Sequence, residues 1–282
     1  MRVQKSNLDS TSTLYLVPTP IGNFDDMTFR SVEVLKNVDI IYCEDTRVTK
    51  VLLSHFDINT PLKSYHIFNE SERLEEIINN LSNGLNIALV SDAGLPCISD
   101  PGFLISKHVI ENDYNVVSLP GASASLTALI ASGLPNEKFY FNGFLSSKQS
   151  QRIKQLEQLI DREETIIIYE APHRITETLQ DMYNVLGNRN VVIARELTKK
   201  YEEYIRGSLE EIVENVKELK GEIVLIVEGC QEKIEVINLN KLTITEHFNH
   251  YKEKGLSDND AMKSVAKDRN VSKNVIYKEI KC

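Results

Sequence analysis

Three loops made mostly of Gly, Pro, Ala and Ser hold the residues best suited to bind a ligand. Residues 18–23 (PTPIGN), 91–102 (SDAGLPCISDPG) and 120–125 (PGASAS) each follow a short aliphatic run. Small residues let backbone N–H groups approach a ligand closely, and a helix starting in the third loop offers free N–H donors to a carboxylate. Asp92 can accept hydrogen bonds from ribose hydroxyls or an amine. One such loop is typical of an ordinary tight turn, but three at one sheet edge predict a ligand crevice.

The glycine spacing argues against two common occupants of such a crevice. The 12 glycines include neither G-x-G-x-x-G nor the spacing of a P-loop. Those motifs bring backbone N–H groups close to dinucleotide or nucleotide phosphates. A Rossmann dehydrogenase and a P-loop kinase are therefore poor fits.

Charged residues that follow predicted strands are the candidates for catalysis. They form four clusters, which are residues 44–47 (EDTR), Glu170 with His173 and Arg174, residues 195–196 (RE) and residues 199–200 (KK). Glu170 and His173 are the first candidates for a general base, because Pro172 breaks the chain after the strand and is expected to turn both toward the opening. Arg174 and Lys199 are further catalytic candidates.

The basic members of these clusters suit phosphate groups, because a guanidinium binds a phosphate through two parallel hydrogen bonds. They are Arg47, Arg174, Arg195 and Lys199. The alternative is a set of ion pairs with Glu44, Asp45 and Glu196 that hold the loops in place. The sequence leaves both interpretations open.

Alternating aliphatic runs and amphipathic stretches predict an α/β fold in the first half. The runs that predict buried parallel strands cover residues 14–17, 40–43, 87–90 and 116–119. Helical patterns cover residues 29–38 and 70–81, and Gly84 ends the second.

A turn cluster at residues 133–136 (GLPN) is the predicted boundary to a second α/β unit. Its predicted strands cover residues 139–141, 165–169, 191–194, 203–207 and 223–227, and its predicted helices cover residues 153–160, 175–186 and 209–219. Strands 191–194 and 203–207 follow one another without a helix, which predicts antiparallel pairing. The domain prediction is a disordered tail (1–13), an N-terminal α/β domain (14–134), a C-terminal α/β domain (135–240) and a helical appendage (241–282).

The appendage differs in charge from the rest of the chain. The whole sequence carries −9, whereas residues 241–282 hold nine Lys and Arg against six Asp and Glu, so the other 240 residues carry −12. Helical patterns cover residues 245–254, 258–269 and 273–281, with Ser257 and Ser272 as predicted caps. This outline fits a helix-turn-helix that docks on nucleic acid through Lys273, Tyr277 and Lys278. A helical hairpin that covers part of the body fits equally well.

Cysteine usage and hydropathy set the expected compartment. The four cysteines form no C-x-x-C pair, and His247 and His250 are expected on a helix surface, so no metal site is predicted. The polar first 13 residues lack the apolar core of a signal peptide, and the longest aliphatic run, residues 223–227, is too short to span a bilayer. We expect a soluble, cytoplasmic protein without membrane contact.

Several motifs in the same order resemble a known family. The segments LYLVPTPIGN, ALVSDAGLPCISDPG and PGASAS resemble the ligand loops of the tetrapyrrole-methylase-like S-adenosylmethionine (SAM) methyltransferases. The segments IIYCEDTR, IIIYEAPHR, VVIARELTKKYEE and GEIVLIVEG are similar to the members that methylate small-subunit ribosomal RNA. The resemblance covers about residues 14–229, and the helical appendage matches as well.

The resemblance implies a fold, a cofactor and a reaction. It implies two α/β domains with SAM in the cleft between them, and a homodimer. It implies 2′-O-methylation of a cytidine in the decoding region of 16S rRNA on the small ribosomal subunit. The positions that match its SAM site are Pro20, Gly22, Asp92, Ala93, Gly94, Ile98, Ser123, Ala124, Tyr169, Ile223 and Val224. RNA contacts are then expected from Arg47, Arg195, Lys273, Tyr277 and Lys278.

Two other functions fit parts of the sequence. A methylase that acts on a corrin precursor would share the fold, although it needs no basic tail. A regulator that senses SAM and binds duplex DNA through the appendage would transfer no methyl group. Methyl transfer to small ribosomal subunits separates all three.

Overall fold

Two five-stranded β-sheets with helices packed against them form the computed structural model, which describes residues 3–6, 11–66, 69–231 and 239–281. The first sheet contains β1 (Thr13–Leu16), β2 (Ile40–Cys43), β3 (Leu62–Ser64), β4 (Ile87–Val90) and β5 (Asn115–Ser118). All five strands are parallel, in the order β3-β2-β4-β1-β5. Because β1 lies between β4 and β5, the three small-residue loops leave the sheet side by side.

Five α-helices lie in the described part of the first half. They are α1 (Phe29–Asn37), α2 (Thr46–His55), α3 (Glu70–Ser82), α4 (Phe103–Glu111) and α5 (Ala124–Ser132). Leu35 and Leu53 from α1 and α2 pack on one face of the sheet, and Ile77 and Ile105 from α3 and α4 pack on the other. Covering both faces explains why the inner strands β1, β2 and β4 are mostly apolar. The sequence patterns did not predict β3, α2 or α4.

The second sheet is mixed. It contains β6 (Phe139–Phe144), β7 (Thr165–Glu170), β8 (Asn190–Arg195), β9 (Glu203–Ser208) and β10 (Ile223–Val227), in the order β6-β7-β10-β8-β9. Only β6 and β7 pair in parallel, and the predicted antiparallel pairing of β8 with β9 is confirmed. The fold class predicted from the sequence is therefore confirmed.

Three helices cover one face of this sheet, namely α6 (Gln149–Glu157), α7 (Ile175–Leu186) and α8 (Leu209–Asn215). The opposite face receives α5 from the first half, where Ala128 and Leu129 pack on Val192 and Ile226. This buried contact joins the two sheets. Helix α8 ends four residues before the predicted end, because Val216 adopts an extended conformation.

Three further helices, α9 (Ile244–Glu253), α10 (Asp258–Asp268) and α11 (Lys273–Lys281), form the appendage around Val265 and Ile276. His247 is fully buried rather than on the expected helix surface. Its Nε2 lies 3.1 Å from a carboxylate oxygen of Asp268, and its Nδ1 accepts a hydrogen bond from Arg269 Nε at 3.2 Å. Burial lowers the pKa of His247, so this ring favours the neutral form.

The predicted disordered tail, residues 1–13, lies partly outside the described residues. Within the described part, Gln4 donates to the Val116 carbonyl at 2.9 Å and accepts from the Val116 N–H at 3.2 Å. Thr13 already belongs to β1. None of the described helices has the length and apolar character needed to cross a membrane.

A close backbone approach at Gly229 yields a stability prediction. A Cβ atom added there would lie 2.1 Å from the carbonyl oxygen of Glu163. This oxygen belongs to the backbone, so it cannot turn aside as a flexible side chain would. We expect Gly229→Ala to lower the free energy of unfolding by about 1–3 kcal/mol, as overpacking does. Gly133→Asn is the control, since nothing lies within 4 Å of its added Cβ and Asn tolerates its φ of +81°. Urea unfolding measures both, and equal stabilities would contradict the prediction.

Candidate active site

A cavity of about 470 Å³ opens where the carboxyl ends of β1, β2, β4 and β5 meet the second sheet. Its size falls in the usual range for a small-molecule site. Nine of the eleven residues proposed for the cofactor line it, namely Asp92, Ala93, Gly94, Ile98, Ser123, Ala124, Tyr169, Ile223 and Val224. The sequence patterns and the tertiary structure thus place the same loops around one cavity.

Backbone hydrogen bonds hold the first two loops together. Thr19 and Gly94 exchange N–H to carbonyl bonds of 2.9 and 3.0 Å, and the Thr19 hydroxyl donates to the Ser91 carbonyl at 3.0 Å. Gly94 has a φ of +80°, which only a glycine adopts at little cost. In the third loop, a Cβ on Gly121 would lie 2.5 Å from Pro18. All three loops are therefore fixed against one another.

Pro20 and Gly22 are not among the described residues that line the cavity. Gly22 packs instead against the Lys199 side chain, since a Cβ on this glycine would lie 2.5 Å from Lys199 Cγ. Lys199 belongs to the segment between β8 and β9, so this contact connects the first loop to the second sheet. The sequence analysis expected Gly22 in the cofactor site. In the structure this glycine forms a contact between the two α/β units instead.

The second sheet supplies an apolar and aromatic wall. Ile223 and Val224 come from β10, and Tyr169 comes from the end of β7. Phe144, which is 53% exposed, meets the Tyr169 ring edge to face at 5.5 Å. The sequence analysis did not select Phe144, because its role depends on the irregularity between Phe141 and Gly143 that re-aims the end of β6.

The rest of the cavity wall is acidic. Five acidic residues line it, and the described lining residues include no Lys, Arg or His; the five are Glu44, Asp92, Asp100, Glu170 and Glu222. Burial raises the pKa of Asp100 to about 6, and the charges of Glu44 and Asp92 add to the increase. Burial also raises the pKa of Glu44 and of Asp92. A wall of this charge suits a cationic ligand.

The structure corrects the expected orientation of Glu170. Its carboxylate is fully buried and accepts from the Ala171 N–H at 2.7 Å, Arg174 Nη2 at 2.6 Å and the Thr178 hydroxyl at 2.6 Å. These three donors hold the carboxylate within the wall, so it is paired and not free to face the cavity. His173 is exposed and is not among the described residues that line the cavity. Pro172 therefore does not turn the two side chains together toward the opening.

The other basic candidates also lie in ion pairs. Arg47 meets Asp45 at 2.6 Å, although its side chain is 89% exposed. Arg195 Nε meets Glu203 at 2.5 Å. Lys199 Nζ lies 3.0 Å from Glu196 and 2.9 Å from Glu222. Within the described residues, these contacts fit the alternative in which the basic side chains form ion pairs that hold the loops in place. Solvent screens the exposed pairs, so they are weak enough to exchange partners.

Residues 13–213 match the protein family described as Tetrapyrrole (Corrin/Porphyrin) Methylases. The chain belongs to this family. The methylase fold is also found in the solved uroporphyrin-III C-methyl transferase from Thermus thermophilus complexed with S-adenyl homocysteine. That structure has a TM-score of 0.53 and 17% identity, and the match covers 78% of this methylase and 99% of that chain.

Two curated relatives of this methylase carry the name Ribosomal RNA small subunit methyltransferase I. The relative from Bacillus subtilis (strain 168) is 51% identical over 270 residues, which cover 94% of this chain and 92% of the relative. The relative from Halalkalibacterium halodurans is 50% identical over 283 residues, which cover 98% of each. The resemblance inferred from the sequence motifs is confirmed.

The anchoring role of Glu170 predicts a loss of stability when its charge is removed. Glu170→Gln leaves Arg174 without its buried partner, and breaking a buried pair costs about 3 kcal/mol. We expect a lower free energy of unfolding of this methylase in urea. Glu157→Gln, on the exposed face of α6, is the control and should change stability by less than about 0.5 kcal/mol. A Glu170→Gln protein as stable as the control would show that the pair does not anchor the wall.

Proposed function

We propose that this protein methylates the 16S rRNA of the small ribosomal subunit with SAM as the methyl donor. The observation that carries the proposal is the near-full-length similarity to relatives named for that activity. The motif resemblance supports the finer statement, in which the acceptor is the ribose 2′-oxygen of a cytidine in the decoding region.

SAM is the cofactor of this methylase, and the charge of the cavity fits it. SAM carries a sulfonium and an ammonium against one carboxylate. Of the five acidic residues in the wall, Glu170 pairs with Arg174 and Glu222 pairs with Lys199. The other three, with no basic side chain among the described lining residues, favour a cation. SAM supplies an activated methyl group. Asp92 would accept from ribose hydroxyls or the amine, and the backbone of Ala93, Gly94 and Ser123 would approach the ligand closely.

The same charge speaks against a corrin precursor as the acceptor. Such macrocycles carry several carboxylates, which the acidic wall would repel. An RNA ribose is neutral, so it can enter while its phosphates stay outside. The charge of the wall therefore favours an RNA ribose over a corrin precursor as the methyl acceptor.

The appendage is the proposed RNA-docking surface. Tyr277 and Lys278 on α11 are exposed, and the aromatic ring offers a stacking face beside the positive charge. Lys273 is the first residue of α11, and its ammonium group donates to the Asn259 side chain of α10. We also propose the homodimer that the resemblance implies. Phe29 and Ile130, which are strongly exposed, are available for such a contact.

Labelled SAM and small subunits from cells that lack this methylation test the proposal. We expect one methyl group per subunit, and alkali resistance of one phosphodiester bond, since a 2′-O-methyl blocks cleavage there. Transfer to a corrin precursor but not to subunits would support the corrin methylase. Binding to duplex DNA without any transfer would support the regulator.

Removing charge from α11 tests the docking surface. Each lost phosphate contact reduces the slope of log affinity against log salt by about 1, so Lys273→Gln/Lys278→Gln should weaken subunit binding and reduce the slope by about 2. SAM affinity should stay unchanged. Lys154→Gln on α6 is the control. Equal salt slopes for the double variant and the control would remove α11 from the RNA contact.

A further inference from the structure

The loop that carries Asp100 is held in a strained conformation at the cavity wall. Cys97 and Ser99 have φ values of 70° and 65°, and Gly102 has 136°. A Cβ on Gly102 would lie 2.5 Å from the Cys97 sulfur, so the loop folds tightly on itself. Left-handed non-glycine residues cost free energy and persist where surrounding contacts fix them. This loop is therefore a rigid support for the carboxylate.

The loop also meets the second sheet. A Cβ on Gly143 of β6 would lie 3.3 Å from the Ser99 hydroxyl oxygen, so the strand passes directly beside the loop. Ser99, Asp100 and Phe144 line the same cavity. Asp100 thus stands where the loops of the first sheet face the aromatic end of β6. A nucleoside that enters between the two sheets would pass this point.

Asp100 keeps its acceptor capacity for a ligand. Among the described residues it has no hydrogen-bond or ion-pair partner, whereas three donors hold the Glu170 carboxylate. Asp92 accepts from the Asp45 N–H at 3.1 Å, and Glu222 pairs with Lys199. Asp100 and Glu44 are thus the acidic lining residues for which the described part of the chain supplies no hydrogen-bond or ion-pair partner, and Glu44 is the alternative that the experiment has to separate from Asp100.

From this placement we infer that Asp100 is the catalytic residue that accepts the proton of the ribose 2′-hydroxyl during methyl transfer. The inference rests on the proposed function, because it needs a hydroxyl as the methyl acceptor. A base helps since that hydroxyl is too weak an acid to ionise at neutral pH, and a positioned base contributes about 10²–10⁴-fold to the rate.

The step balances in charge and atoms. A lone pair of the 2′-oxygen forms the new O–C bond, and the electron pair of the broken C–S bond stays on sulfur. Asp100 takes the hydroxyl proton and releases it to water after the product leaves. A sulfonium and a carboxylate become a neutral thioether and a neutral acid, so the two reacting groups end without charge.

Loss of the sulfonium charge couples the methyl transfer to the proton transfer. In the ligand-free protein, burial raises the pKa of Asp100 to about 6, with Glu44 and Asp92 adding to the increase. A bound cation lowers this pKa and keeps Asp100 ionised as a base. When the cation disappears, the pKa rises again, and the carboxylate holds a proton more strongly just as the hydroxyl gives one up.

Calorimetry at pH 6, in two buffers with different ionisation enthalpies, tests the coupling without RNA. SAM should release up to about half a proton from the wild-type protein, whereas neutral S-adenosylhomocysteine should release less. Asp100→Asn should remove this difference, and Glu157→Gln should keep it. If Glu44→Gln removes the difference and Asp100→Asn keeps it, the assignment to Asp100 is overturned.

Single-turnover transfer to small subunits tests the catalytic role. The wild-type rate should rise with pH through a pKa at or below about 6, because the base must be ionised. Asp100→Asn should lose 10²–10⁴-fold in rate and at most a few-fold in SAM affinity, as expected for a missing base, and Asp100→Glu should recover part of the rate. A wild-type rate in Asp100→Asn overturns the inference and leaves the proposed function standing. If the wild-type protein transfers nothing to subunits, the proposed function fails and the catalytic role of Asp100 fails with it. The calorimetric difference then shows only whether SAM binding changes the protonation of Asp100.

Discussion

The position of β1 between β4 and β5 is the constraint on which the cavity depends. Three loops of small residues become neighbours only through this strand order, since they are far apart along the chain. The same order places β2 beside β4, which brings Glu44 close to Asp92 and Asp100. Ligands of open parallel sheets bind where strand order reverses, because the loops there part and leave a crevice. The acidic wall therefore depends on the strand order, which brings together acidic residues that are far apart in the sequence.

Contacts between the two sheets complete the cavity. Apolar packing of α5 against β8 and β10 holds the sheets together, and the contacts of Gly22 with Lys199 and of Gly143 with Ser99 close two sides. A Cβ at Gly22 would overlap the Lys199 side chain, and a Cβ at Gly143 would crowd the Ser99 hydroxyl. The ion pairs of Lys199 with Glu196 and Glu222 then fix the segment after β8, where Glu196 and Thr198 have positive φ values. Stored backbone strain beside a ligand cavity is common at functional sites.

Local patterns predicted every described strand except β3 and most of the cavity lining, because aliphatic runs and small-residue loops leave a direct trace in the sequence. They failed where a side chain's role depends on a distant partner. Glu170 turns inward because Thr178 and Arg174 on the following elements offer donors. Asp100 was part of a recognised loop, yet its burial beside Glu44 follows from the adjacency of β2 and β4. Helix α2 is led by Thr, Arg and Val, which mask its periodicity, and Asp45 caps it through a bond to the Arg47 N–H.

The separation of charge along the chain suits the proposed function, which combines a cationic cofactor with a polyanionic acceptor. A carboxylate-lined cavity attracts SAM but repels RNA phosphates, so RNA affinity has to come from surfaces outside the cavity. The appendage supplies positive charge on helices that form their own small core around Val265 and Ile276. Positive charge on the appendage does not offset the acidic residues of the cavity, where burial, with Glu44 and Asp92, raises the pKa of Asp100. A basic residue moved into the cavity would gain phosphate contacts and lose both the cation preference and the raised pKa. The two charge requirements therefore conflict within one cavity, and spatial separation is the arrangement that satisfies both.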